Sequence, residues 1–322
     1  MRPYSPEISV VMSVYNGSRY LRESVESILY QEGVDFEFII VNDGSTDATG
    51  EILSEYASRY DRIRIIEQEN SGLTRALIRA CKEAKGKYIA RQDADDISMP
   101  GRLLQLQELI ESDNNILFVS SWGQNIGPNG ELLGTIERPS NPEKATRLVL
   151  DEKTGPPGHG SVMFSRDAYE LVGGYRHVFY YAQDWDLWLR FAQRGKVSYV
   201  PEVLYKYRYW SANISSIQGD LQKQFGKIGR HCLAARRCGE SEDLYLSMAE
   251  ELSGRITNHK QKRGNHHPQI SRTYYFIASG MEKQGNKKAI FYFLKAVKYH
   301  PLHVRAWIRL ILSIINSLLI HR

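Results

Sequence analysis

Between Ile8 and Arg91, four short apolar runs alternate with three stretches of helical spacing. Ile8 to Val14 is rich in β-branched residues, as a strand buried on both faces must be. Phe36 to Val41, Ile63 to Ile66 and Lys87 to Arg91 read the same way. Between them Leu21, Val25, Ile28 and Leu29 recur at helical spacing, then Ile52, Leu53, Tyr56 and Tyr60, then Leu73, Ala76, Leu77, Ala80 and Ala84. Strand–helix alternation requires crossovers, and these are right-handed, so the expected fold is α/β with a mostly parallel sheet flanked by helices. In such sheets ligands collect at the carboxyl ends of the strands. Tyr15, Asp43 and the run Asp93-Ala94-Asp95-Asp96 each stand just after a predicted strand. The pattern therefore predicts one polar, acidic edge.

Two carboxylates one residue apart at a strand end can hold a divalent cation through hard oxygen ligands. Such a cation assists departure of a phosphate leaving group by neutralising its charge. The same run also reads as a solvated acidic loop in which Asp96 caps the next helix. Arg91-Gln92 before it continues a strand, and Ile97 to Arg102 after it opens a helix.

The rest of the chain is less regular. Gly155-Pro156-Pro157-Gly158-His159-Gly160 reads as a rigid loop, Asp184 to Ala192 as a helix and Val197 to Val200 as a strand. Beyond Ser216 the chain reads as helical, with 18 Lys/Arg against 7 Asp/Glu in an overall charge of +5. This divides the chain into an acidic part, residues 1–215, and a basic helical part, residues 216–322. Arg272 to Leu310 has the spacing of a helical hairpin, loosely like one tetratricopeptide-type unit. Cys81, Cys232 and Cys238 form neither a zinc spacing nor a disulfide framework. Residues 1–7 carry no apolar signal region, and no stretch reaches the ~20 apolar residues of a spanning helix. A cytoplasmic location is expected. No Gly-x-Gly-x-x-Gly follows a strand, which argues against a dehydrogenase, and no Gly-rich loop near the first strand supports a nucleotidyltransferase.

The motifs occur in a telling order: Val10-Val11-Met12-Ser13-Val14-Tyr15-Asn16, Val41-Asn42-Asp43-Gly44-Ser45-Thr46-Asp47, Asn70-Ser71-Gly72-Leu73, Asp93-Ala94-Asp95-Asp96, Pro100-Gly101-Arg102-Leu103, His159-Gly160-Ser161, Gly173-Gly174-Tyr175, Gln183-Asp184-Trp185-Asp186-Leu187 and Tyr207-Arg208. Together these resemble glycosyltransferase family 2, inverting enzymes with the Rossmann-like GT-A fold. The resemblance covers roughly the first two-thirds of the chain. It implies a nucleotide-sugar donor, with UDP as the default base and dTDP or GDP as options, and a divalent cation, Mg²⁺ or Mn²⁺. It implies Tyr15, with Ser13 nearby, against the nucleobase, Asp43 hydrogen-bonded to the base, Asp93 at the ribose and Asp95 on the metal and diphosphate. Asp47 is expected to cap a helix. Asp184 is implied as the general base, with Asp186 as the competitor pointing elsewhere. His159, Gln183 and Trp185 are expected at the acceptor side, and Arg208 at the diphosphate.

The chain departs from the family pattern in three places. Gln183 stands where an acid is usual. Leu77 and Ile78 replace an Arg-Asn pair, leaving Arg75 or Arg79 to supply the charge. Trp210 stands where many members have a histidine. Arg102 reads either as holding the acidic loop by charge or as an ordinary surface arginine.

In the last helix Arg305, Arg309, Ser313 and Asn316 share one narrow face, and Trp307, Ile308, Leu310, Ile311, Ile314, Ile315, Leu318 and Leu319 cover the rest. The helix either packs on its neighbours or lies on an anionic membrane surface. The expected partners are a nucleotide-sugar donor and a glycan or lipid-linked acceptor, with no nucleic acid. The expected function is sugar transfer in cell-surface polysaccharide or glycolipid synthesis, against the alternative of a non-catalytic sugar-binding module.

Overall fold

A computed structural model describes residues 6–211, 213–258 and 267–319. The first half alternates as the periodicity requires: β1 (Ile8–Val14), α1 (Ser18–Leu29), β2 (Phe36–Asp43), α2 (Thr49–Arg59), β3 (Ile63–Gln68), α3 (Leu73–Glu83) and β4 (Tyr88–Arg91). Then come β5 (Ile97–Ser98), α4 (Arg102–Glu111), β6 (Ile116–Ile126), β7 (Leu132–Ile136), α5 (Pro142–Leu150), β8 (Met163–Ser165), α6 (Arg166–Leu171), α7 (Gln183–Arg194) and β9 (Lys196–Arg208). The remainder is helical: α8 (Ile214–Ile217), α9 (Gly219–Cys238), α10 (Asp243–Asn258), α11 (His267–Lys283), α12 (Ala289–Tyr299) and α13 (Val304–Leu319).

One sheet runs in the order β3-β2-β1-β4-β8-β6-β9-β5, with β7 on β6. From β3 to β4 every pair is parallel. Beyond β4 the sense mixes: β8 is antiparallel to both β4 and β6, while β6 and β9 run parallel. Strand β9 is far longer than Val197 to Val200. Pro201 looks like a terminator because it cannot donate to a ladder. The pairing with β6 skips from Val200 opposite Ser121 to Val203 opposite Trp122, so a bulge absorbs the proline and the strand resumes. That continuation carries Tyr205 and Arg208 beside the acidic loop.

Alternate residues of the central strands feed two cores. Val10 and Met12 join Leu21, Val25 and Leu103 on one face, and Val11 joins Leu77, Ala80 and Leu187 on the other. Helices α11 to α13 bury a core of their own that includes Leu133 of β7. A further cluster packs Phe179 against Phe225, Ile228 and Cys232 of α9.

Candidate active site

A cavity of about 770 Å³ opens at the carboxyl edge of β1, β2 and β4. Ser13, Tyr15, Asp43, Asp93, Asp95, His159, Gln183, Asp184 and Trp185 all line it. Sequence positions more than 170 apart thus share one space. Arg208 is the exception among the expected residues. It is 2% exposed and faces inward. Its Nε donates to the Asp95 carbonyl at 2.8 Å and its Nη2 pairs with Glu23 at 2.5 Å. It braces the acidic loop from behind.

The β1 and β2 loops are tied together. The Asn16 N–H donates to Ser45 Oγ at 2.9 Å, and the Thr46 N–H donates to Asn16 Oδ1 at 2.8 Å. Asp47 accepts from the Ser18 N–H at 3.2 Å and the Thr49 N–H at 3.0 Å, so it serves the first turns of both α1 and α2. Slight burial opposes ionisation, but the donors at Ser18 and Thr49 outweigh it and hold the carboxyl at about 2. Tyr15 stands 53% exposed beside this pair of loops, a free aromatic face at the cavity rim. Asp43 is buried and already bonded: Oδ1 accepts from Gln68 Nε2 at 2.7 Å and the Ser71 N–H at 2.8 Å, and Oδ2 from the Gly72 N–H at 2.9 Å. It fixes the turn into α3 as well as lining the cavity. Gly44, at φ +73°, allows that approach, because a Cβ there would lie 2.7 Å from the Asn70 nitrogen.

The acidic run divides its work. Asp93 pairs at 2.5 Å with Arg91, whose side chain is wholly buried and also donates to the Val11 carbonyl at 2.8 Å. Sequence reading passed over Arg91; an arginine ending an otherwise apolar strand was the available signal. Asp95 Oδ2 accepts from Trp210 Nε1 at 2.8 Å and Asn213 Nδ2 at 2.9 Å. Burial, with the charge of Asp93 adding, pushes the Asp95 carboxyl up to about 6 despite the Trp210 bond. Asp96 does not cap α4, contrary to expectation. Its carboxylate turns into the interior, accepting from Tyr205 Oη at 2.8 Å and the Arg208 N–H at 2.8 Å. Burial, then the charges of Asp95 and Asp93, drive it well above the usual carboxylate range. Arg102 is no surface residue and makes no ion pair to the run. Fully buried, it donates to Ser98 Oγ at 2.6 Å and to the carbonyls of Arg91 and Gly160 at 2.8 Å. Gly160 must lack a side chain: a Cβ would meet Tyr205 Oη at 1.8 Å and the Asp93 nitrogen at 2.9 Å.

On the opposite wall, α7 begins directly after Ala182, held at φ +53°, a left-handed conformation that costs an alanine about 1–2 kcal/mol. The next two residues, Gln183 and Asp184, turn into the cavity lining. Asp184 Oδ1 accepts its neighbour's backbone N–H, that of Trp185, at 2.8 Å. Burial raises the Asp184 carboxyl, and the charge of Asp93 acts in the same direction. Asp186 points elsewhere, as expected: it is 1% exposed and takes both the Arg176 and Arg190 guanidinium groups. His159 lines the cavity with Nε2 occupied by Tyr175 Oη at 2.7 Å and Arg91 Nε at 3.4 Å. Arginine can only donate, so Nε2 is the acceptor nitrogen and the ring is neutral. Burial, then the charge of Arg91, lowers its pKa well below the usual histidine value. Neither Arg75 nor Arg79 lines the cavity; Arg79 donates to the Glu67 carbonyl at 3.2 Å. The cations that do line it are Arg19, which lies over the Tyr20 and Trp210 rings, and Lys153.

The family model described as Glycosyl transferase family 2 matches residues 9–173. EpsE of Bacillus subtilis, named as a glycosyltransferase, is 38% identical over 208 residues, which is 63% of this chain and 73% of EpsE. The chain belongs to glycosyltransferase family 2. A chondroitin synthase of Pasteurella multocida is 31% identical over 68% of this chain, which spans only 22% of that relative's length. Among solved structures, S. aureus TarS in complex with UDP superposes with a TM-score of 0.53 at 16% identity, covering 91% of this chain and 89% of that one. The mannosyltransferase PcManGT from Pyrobaculum calidifontis, in complex with GDP-Man and Mn²⁺, gives 0.55 at 16% identity, covering 96% and 88%. These neighbours carry the GT-A fold that the family resemblance implied. The enzyme is thus a glycosyltransferase. The family match ends before Asp184.

Proposed function

We propose that this family 2 enzyme is an inverting transferase. It moves a sugar from a nucleoside-diphosphate donor, a UDP-sugar first, to a saccharide or lipid-linked acceptor in cell-surface polysaccharide or glycolipid synthesis, on the cytoplasmic side of a membrane. The observation that carries the reading is the shared cavity, with Asp93 and Asp95 on one wall and Asp184 on the other. The UDP bound to TarS and the GDP-Man bound to PcManGT support a nucleotide-sugar donor.

Asp184 takes the proton from the acceptor hydroxyl as its oxygen attacks the anomeric carbon. The bond from that carbon to the diphosphate breaks on the opposite face, inverting the centre. A base raised by burial is well matched to this task near neutral pH. Tyr15 offers its exposed face to the nucleobase beside Ser13, and Asp43 borders the base. Asp93, steadied by Arg91, faces the ribose. Gln183, Trp185 and His159 border the acceptor, His159 as a neutral wall rather than a base.

The residues fit a divalent cation held mainly by the donor. Trp210 and Asn213 both occupy Asp95 Oδ2, so Oδ1 is the oxygen assigned to the ion. Among the described residues no group of three or more His, Cys, Asp or Glu gathers around one point. One carboxylate plus phosphate oxygens and water is a coordination set that Mg²⁺ or Mn²⁺ accepts. The cation would supply charge neutralisation at the leaving diphosphate. Arg19 and Lys153 add positive charge at the same cavity.

A panel of UDP-, dTDP- and GDP-sugars with Mn²⁺ or Mg²⁺, scored by donor hydrolysis and thermal stabilisation, tests the reading. One nucleotide should stabilise the protein only with metal, and Asp95→Ala should remove that response. A protein indifferent to every nucleotide and metal would instead be a binding module without donor chemistry.

A further inference from the structure

Helix α13 turns only the middle of its polar stripe inward: Arg309 pairs with Glu282 of α11 at 3.3 Å and Ser313 Oγ donates to the same carboxylate at 2.6 Å, while Arg305 and Asn316 stay exposed. Ala306 and Leu310 are the buried apolar contacts. Val304, Trp307, Ile308, Ile311, Ile315 and Leu318 are exposed, from 44% to 67%. With Trp307 and Ile308 side by side and the others at spacings of three or four, they form a continuous stripe along the helix. The adjoining α12 leaves Phe291 and Leu294 about half exposed. An isolated exposed leucine needs no explanation, but a stripe this long does.

The charge around the stripe selects its occupant. After Glu282 the chain has eight Lys/Arg and no Asp or Glu. Lys288, Lys298 and Arg305 are exposed, and the Lys295 ammonium lies 4.4 Å from the Phe291 ring centroid. A second copy docked by this face would bring cations onto cations. An anionic lipid surface takes both the apolar stripe and the positive charge. Among the described residues no helix is long and apolar enough to cross a membrane, so the geometry is that of a helix lying in the interface.

We propose that the α12–α13 face binds anionic phospholipid bilayers, with the exposed side of α13 inserted among the headgroups. This gives a surface to the membrane location in the functional reading above, and it is measured without donor or acceptor, so either can fail alone. The test is flotation of the full chain with phosphatidylglycerol-containing vesicles and with pure phosphatidylcholine vesicles. The wild type should float with the first about tenfold more than with the second, and less so at high salt. Ile311→Glu with Ile315→Glu should abolish flotation while the thermal melt stays unchanged, since both residues are exposed. Lys288→Glu with Lys298→Glu should weaken it and flatten its salt dependence. Three results would overturn the proposal: no flotation of the wild type, equal flotation on neutral vesicles, or a concentration-dependent dimer that Ile311→Glu dissolves. In the last case the face joins two copies.

Discussion

Asp96 and Asp186 are both about 1% exposed, and each stands one or two residues from an acid that lines the cavity. They are held in opposite ways. Asp186 lies between two guanidinium groups, which outweigh its burial and keep its carboxyl below the ordinary range. Asp96 has a phenol and a backbone N–H, both neutral, and burial pushes it far above that range. The difference has a purpose in each wall. Around Asp186 the charge is cancelled internally by Arg176 and Arg190, leaving Asp184 as the α7 acid that lines the cavity. Around Asp96 no cation pairs with the side chain, and burial favours its neutral, protonated form.

The strongest way to break this comparison is to exchange the roles of the α7 acids. Asp184→Asn should lower the transfer rate by about 10²–10⁴-fold, the usual worth of a general base, with no loss of thermal stability. A near wild-type rate would return the base to another group. Asp186→Ala should do the reverse, costing about 3–5 kcal/mol in denaturant unfolding because two buried guanidinium groups lose their partner. A cost below ~1 kcal/mol would mean that Arg176 is satisfied by Glu242 alone.

The pH dependence sharpens the contrast. Burial raises Asp184, so as the proposed base it accepts a proton only above its elevated pKa, and the rate should fall while the pH is still above the ordinary carboxylate value of about 4. Asp186 is depressed, so its stabilisation is fully present above the unfolded-state pKa and disappears only as pH falls through its lower folded value. On acidification, activity should therefore fail before the fold does. Rate and denaturation profiles measured on one preparation check this; coincident midpoints would contradict it. The smallest effect is expected at Asp96→Asn, about 1 kcal/mol, since an amide can still accept from one neutral partner and donate to the Tyr205 oxygen. A loss matching that of Asp186→Ala would mean that Asp96 is ionised and paired.

Much of this was legible in the sequence, for physical reasons. Hydrophobic period gave β1 to β4 and their helices, and strand ends gave Tyr15, Asp43, Asp93 and Asp95 a common edge. What failed depended on contacts between distant segments. Asp96 reads as a cap until β9 is known to bring Tyr205 and the Arg208 N–H to it, and Pro201 concealed that half of β9. Arg91, Arg102 and Arg208 are charged residues in fully buried positions, a placement that composition argues against unless partners are present. In α13 the amphipathic pattern was correct, but Arg309 and Ser313 of its polar stripe face the protein beside Ala306 and Leu310, because Glu282 waits there.

Asp47 has a consequence for how the donor enters. Its two oxygens grip the first turns of α1 and α2, and Asn16 laces the same loops together. This side of the cleft is therefore tied together before any ligand arrives, and a ligand bound against it loses little conformational entropy. A ligand entering against Tyr15 meets a socket that is already braced.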